Sequence, residues 1–197
     1  SNIRPGKSID FGFDVESYFN PLIKQLIKFY NADSIEPIEF YGNCYNGNAD
    51  LFTTMSYLPH VDTFPGADKD INPLNDYAFN LNVTKSDKVK TAFYSFNGKK
   101  SVCDWTPDDY DDHDRVRDRH KKIKAKNWKL LSSENFQNYQ LEYIANIEYN
   151  SLILYPSHYW HSVYIKEDWF TDTDRVTFTG FFETKTTSSK TKKLGFG

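Results

Sequence analysis

The chain has 197 residues, a formal net charge of −3, and 14 Tyr, 16 Phe and 4 Trp. That length suits one domain with a core of its own, and the acidic balance argues against a dedicated nucleic-acid binder. Two cysteines, Cys44 and Cys103, make no disulfide framework; with no signal peptide visible in these residues and no apolar run near the ~18 residues of a membrane span, the expectation is a cytoplasmic protein with no membrane partner. The aromatic content favours strands, so the expected fold class is mostly β.

Residues 3–14 read as an arm or short strand. A helix is expected over 15–30, because Phe19, Leu22, Ile23, Leu26, Ile27 and Tyr30 recur at helical spacing. Its cap is Asp14, or Asn20 if Pro21 opens the helix proper. A short strand over 38–41 and turn material over 42–48 follow. Residues 50–58 form a strand candidate leading to Pro59 and His60. Pro59 lacks a backbone donor, which places His60 at a strand end. Asp68 and Asp70 read as a solvated acidic loop.

Residues 76–83 alternate, with Tyr77, Phe79, Leu81 and Val83 on one face. Residues 91–96 form the next strand, closed by the turn pair Asn97-Gly98. A charged insertion spans 104–129, acidic in its first half and basic in its second. It reads as partly helical and solvated, or as a lid, with His113 and His120 exposed. The four Trp residues either flank a mouth or brace loops. Residues 135–146 suit a helix, with Phe136, Tyr139, Tyr143 and Ile144 on one face. Residues 151–155 are a strand. Beyond Pro156-Ser157, His158, Trp160 and Ser162 alternate with Tyr159, His161 and Val163. Residues 175–182 form a closing strand. One domain over 1–183 and a flexible polar tail over 184–197 complete the reading.

His60 and Asp62 carry the chemical signal. Two residues apart in an extended strand, they point to one side. An imidazole and a carboxylate are two of the three ligands of a two-histidine, one-carboxylate metal site. The pair alone is common, and a metal-free surface loop is the plain alternative. A third ligand would come from far along the chain. His161 lies 101 residues after His60, and Arg175 follows it by 14. A buried arginine needs an anion, and a planar carboxylate fits its donor fork.

With these residues in place the chain resembles the iron(II)- and 2-oxoglutarate-dependent oxygenases, whose pattern is His-x-Asp, a long gap, a distal His and then Arg or Lys. The matching positions are His60, Asp62, His161 and Arg175. Within that superfamily it looks nearest to small prolyl-hydroxylase-like proteins. The motifs are Pro59-His60-Val61-Asp62, Lys90-Thr91-Ala92-Phe93-Tyr94 (Lys90 where glycine is usual), Tyr155-Pro156-Ser157, His161-Ser162-Val163 and Arg175-Val176-Thr177-Phe178. The resemblance favours His161 over His158 as distal ligand. It implies a double-stranded β-helix, a cupin-like jelly roll with a flanking N-terminal helix. It implies Fe(II) on His60, Asp62 and His161, and 2-oxoglutarate held by Arg175, with Thr177, Tyr77 and Tyr94 as further cosubstrate residues. With O2 the reaction would decarboxylate the oxoacid to succinate and hydroxylate a small molecule, amino acid or peptide. A cupin-like metalloprotein without oxoacid chemistry and a non-catalytic jelly-roll binding module are the rival readings.

Overall fold

The computed structural model describes residues 7–9, 15–45, 59–62, 76–120, 135–136, 138–166, 169–170 and 172–185. The strand expected over 50–58, the acidic loop with Asp68 and Asp70, the second half of the insertion with Trp128, and residues 186–197 lie outside them.

Nine strands and two α-helices are described. In chain order they are β1 (Lys7–Ile9), α1 (Val15–Tyr30), β2 (Ser34–Tyr45), β3 (Asp76–Asn82), β4 (Lys90–Phe96), α2 (Pro107–His120), β5 (Asn135–Phe136), β6 (Tyr139–Asn146), β7 (Ser151–Pro156), β8 (His161–Tyr164) and β9 (Arg175–Lys185). Every pairing among them is antiparallel. They form a five-stranded sheet, β1-β2-β9-β3-β7, and a four-stranded sheet, β5-β6-β4-β8. No helix among the described residues is long and apolar enough to cross a membrane.

Helix α1 packs on the outer face of the first sheet. Phe19, Leu22, Ile23 and Leu26 meet Phe79, Leu81, Leu152 and Phe182 there, and burying each large side chain stabilises by about 2 kcal/mol. The helix ends at Asn31, whose φ of 51° is the left-handed cap conformation, while Ala32 N donates to Ile27 O. The inner face of this sheet carries Ala78, Tyr155 and Phe181, which gather Phe93 of the second sheet against them. The outer face of the second sheet holds Ala92, Tyr94, Phe96 and Tyr139 with Trp160, covered by Val116 of α2.

The Asn97-Gly98 turn forms as expected. Both residues have positive φ (49° and 78°), and Phe96 and Lys99 exchange backbone hydrogen bonds across it. The insertion is helical over Pro107–His120. Asp109 caps its start, its carboxylate accepting from Thr106 N and Thr106 Oγ1 while Asp109 N donates to the Thr106 carbonyl.

Several expectations are corrected. The expected turn at 42–48 is strand as far as Tyr45, paired with β9. Residues 135–146 are not a helix but β5 and β6: Tyr139, beside Phe96, is buried on the outer face of the second sheet and Ala145, beside Thr91, on the inner, the register shift opposite Phe93 and Tyr94 switching the face between them. Residues 158–163 are not one regular strand: 157–158 turn, Tyr159 bridges Ser101, and β8 begins at His161. Trp160 does not flank a mouth; it is fully buried and stacks on Trp105 at 4.9 Å between ring centroids. His113 is not exposed but packs between Phe96, Trp105 and Trp160. Strand β9 continues through Thr184 and Lys185, which pair with Ile35 and Ser34 of β2.

Candidate metal centre

A sharp turn after β7 does the positioning. Ser157 O accepts from Asp62 N at 2.9 Å, and His60 and His161 exchange backbone hydrogen bonds of 2.8 and 2.9 Å. Tyr159 O lies 2.9 Å from His161 Nδ1. The segment 157–161 therefore fixes the backbone of all three residues and the ring of one. It is held in turn by Val102 N on His158 O, Trp160 N on Lys100 O and Tyr94 N on Trp160 O.

The side chains converge. One ligand atom from each of His60, Asp62 and His161 lies within 4.8 Å of the others. His161 Nε2 is 3.3 Å from Asp62 Oδ2, and His60 Nε2 is 4.0 Å from Asp62 Oδ1. The side chains of Asp62 and His161 are each 6% exposed and that of His60 is 49% exposed, so the cluster opens on the His60 side. Tyr155 and Phe93 pack on the His161 ring at 4.7 and 6.4 Å between centroids.

This arrangement is unbalanced without a cation. The bond to a carbonyl requires a proton on His161 Nδ1, so in the neutral ring Nε2 is a lone pair. That lone pair faces Asp62 Oδ2, which is buried and accepts no hydrogen bond among the described residues. Two electron-pair donors aimed at one point call for a positive charge between them. Two imidazoles and one carboxylate on one side, with the other side open, fit a divalent transition metal.

Arg175 and Thr177 lie on the inner face of the first sheet, 5% and 0% exposed. Arg175 Nη1 donates to Thr177 Oγ1 at 3.3 Å, which turns the guanidinium along its own strand into the fold.

Tyr77 and Tyr94 are corrections. Tyr77 is on the outer face of the first sheet, against Tyr30 and Phe182, under α1. Burial pushes its hydroxyl pKa up. Tyr94 is on the outer face of the second sheet, where its hydroxyl accepts from Ser162 Oγ at 3.4 Å. Ser162 pairs with Ala92 and neighbours His161, so it points away from the triad. Neither tyrosine faces the site. His158, the rival distal ligand, is 5% exposed in the turn before His161, and burial lowers its pKa against the opposing effect of Asp104. Tyr155 and the carbonyls of Ser157 and Tyr159 were not foreseen as site elements. The Tyr-Pro-Ser sequence marks a strand end, but no side-chain signal announces a structural carbonyl.

No family model matches the chain, and no curated protein does. Among solved structures it is similar to an N-substituted L-amino acid dioxygenase in complex with alpha-KG from Burkholderia ambifaria. That likeness has 11% identity and a TM-score of 0.41, covering 90% of this chain and 53% of the other. It is also similar to HygX from Streptomyces hygroscopicus with nickel and 2-oxoglutarate bound, at 12% identity and a TM-score of 0.46, covering 91% and 74%. The chain thus spans about half the length of the first of these. These are distant likenesses.

Proposed function

We propose that the protein is an iron(II)- and 2-oxoglutarate-dependent oxygenase that hydroxylates a small molecule, amino acid or peptide, on a double-stranded β-helix of the prolyl-hydroxylase-like kind. The observation that carries this reading is the buried Asp62 Oδ2, which faces His161 Nε2 at 3.3 Å and takes no hydrogen bond among the described residues. His60, Asp62 and His161 would hold the metal, which when bound supplies the site for oxidative decarboxylation of the oxoacid by O2 coupled to substrate hydroxylation.

The remaining work falls to the chain. Asp62 acts as an anionic ligand and not as a base. Tyr159 O keeps the proton of His161 on Nδ1. Arg175, steered by Thr177, would take the distal carboxylate of 2-oxoglutarate in bidentate fashion. Phe93 and Tyr155 shield the His161 ring from water. The half-exposed His60 marks the side from which a substrate approaches.

Calorimetric titration of 2-oxoglutarate into the metal-loaded protein, followed by assay of succinate release, tests the reading. Metal binding without oxoacid binding would instead leave a cupin-like metalloprotein. Failure to bind Fe(II) under anaerobic conditions would end the proposal.

A further inference from the structure

The two faces of β3 differ in character. The apolar side chains Tyr77, Phe79 and Leu81 face α1, while Ala78, Asn80 and Asn82 face the space between the sheets. Strand register divides that inner face into rows. Ala78 sits between Tyr155 and Phe181, Asn80 between Ile153 and Thr179, and Asn82 between Ser151 and Thr177. On the facing sheet, Phe93 pairs with His161 and Thr91 pairs with Val163.

Packing aligns these rows. Phe93 lies against Ala78, Tyr155 and Phe181, so the His161 row covers the Ala78 row. Val163 and Ile153 pack against one common cluster, which brings the Thr91 row over the Asn80 row. The Arg175 guanidinium, turned to Thr177, belongs one row further on. A molecule that touches both the triad and Arg175 has its middle between Asn80 and Thr91.

That middle layer holds two stranded polar atoms. Thr91 Oγ1 and Asn80 Oδ1 are both buried, with no hydrogen-bond partner among the described residues. Thr91 is 2% exposed. Unsatisfied buried polar atoms are costly and rare, and valine would fill the same space as Thr91 without that penalty.

We infer that Thr91 and Asn80 bind the mid-section of the 2-oxoglutarate, from opposite sheets. The hydroxyl donates to an oxoacid oxygen. The amide does the same from Nδ2, since its oxygen and nitrogen exchange places by a half-turn of the group. The inference rests on the proposed oxoacid reading, and its test separates the two.

The test uses the full chain with manganese(II) and 2-oxoglutarate. Calorimetry gives the affinity for each, and thermal melting follows the ligand-free protein. Thr91→Val and Asn80→Leu should each weaken 2-oxoglutarate binding about tenfold with manganese affinity unchanged. Thr91→Val should also raise the ligand-free melting temperature by about 2–4 °C, because it removes a stranded hydroxyl. Opposite signs on binding and stability are what a purely structural threonine does not give. Wild-type oxoacid affinity in both variants, alongside weakened binding in Arg175→Ala, overturns the inference and leaves the oxoacid reading standing. A lowered melting temperature with unchanged affinity in Thr91→Val also overturns it. No 2-oxoglutarate binding by the wild type overturns both.

Discussion

His161 presents Nε2 to Asp62 Oδ2 at 3.3 Å while its Nδ1 lies 2.9 Å from Tyr159 O. The carbonyl decides which ring nitrogen carries the proton, and so leaves the other able to act as a ligand. Removing either donor should remove the metal. Asp62→Ala and His161→Ala should each lower Fe(II) or Mn(II) affinity by at least about a hundredfold, exceeding the effect of losing an outer partner. Metal at a hundred times its dissociation constant should stabilise the wild type by about 2.7 kcal/mol, or about 5–10 °C in a protein of this size. Melting curves with and without metal read both effects. An equal metal-dependent shift in Asp62→Ala would rule out this carboxylate as ligand.

Arg175 is the natural second test, because its guanidinium sits on the other sheet from His161 and its loss should spare the metal. Arg175→Ala should weaken 2-oxoglutarate binding by about a hundredfold, the cost of truncating a buried charged hydrogen-bonding partner. Arg175→Lys should recover only part of this, since an ammonium lacks the bidentate fork. Equal oxoacid affinity in the wild type and Arg175→Ala would show that the clamp is elsewhere.

Which parts of this arrangement were legible in the chain follows from what each residue faces. The spacing of Phe19, Leu22, Ile23 and Leu26 names one helix face, and α1 covers the expected span. The alternation of Tyr77, Phe79 and Leu81 names a strand face, yet not its destination. Both faces of this strand are covered, and the more apolar one went under α1 while Asn80 and Asn82 went inward. Tyr77 therefore lies under α1 and not beside the cosubstrate position that the resemblance implies. The stretch 135–146 looks helical in the sequence because Phe136, Tyr139, Tyr143 and Ile144 satisfy helical spacing by coincidence. The register shift opposite Phe93 and Tyr94 breaks the plain alternation that would have marked β6 as a strand. The histidine and aspartate convergence was readable from residue type and order. Its support from the carbonyls of Ser157 and Tyr159 was not, since a backbone acceptor leaves no trace in residue identity.

Asp109 ties α2 to the turn after β4. Its carboxylate accepts from Lys99 Nζ, Thr106 N, Thr106 Oγ1 and Asn97 Nδ2. Burial alone would raise its pKa, but the bonds from Lys99, Thr106 and Asn97 outweigh it and hold the group well below the usual carboxylate range. A depressed folded pKa means that the stabilisation is present above the unfolded value of about 3.9 and is lost as pH falls below it. Asp109→Asn should cost about 2 kcal/mol at neutral pH, or about 4–8 °C. It should also flatten the acid limb of the melting curve below about pH 4. Identical acid limbs in the two proteins would refute the tether.

His158 should add a second pH dependence at higher pH. Burial lowers its pKa, with the Asp104 charge acting the other way, so the folded protein holds the ring neutral where the unfolded chain, titrating near about 6.5, takes up a proton. The unfolded state therefore binds more protons as pH falls below about 6.5, and stability declines there until the folded pKa is reached. His158 belongs to the turn whose neighbouring carbonyls, Ser157 O and Tyr159 O, hold Asp62 and His161. Metal affinity falls in acid for any such site because the ligands themselves protonate; the metal-free protein is the one to measure. Melting temperatures of the metal-free wild type should drop from about pH 6.5 downward, and His158→Gln should lose that slope while keeping the one below pH 4 set by Asp109. A His158→Gln profile parallel to that of the wild type throughout would show that the ring titrates alike in folded and unfolded chains.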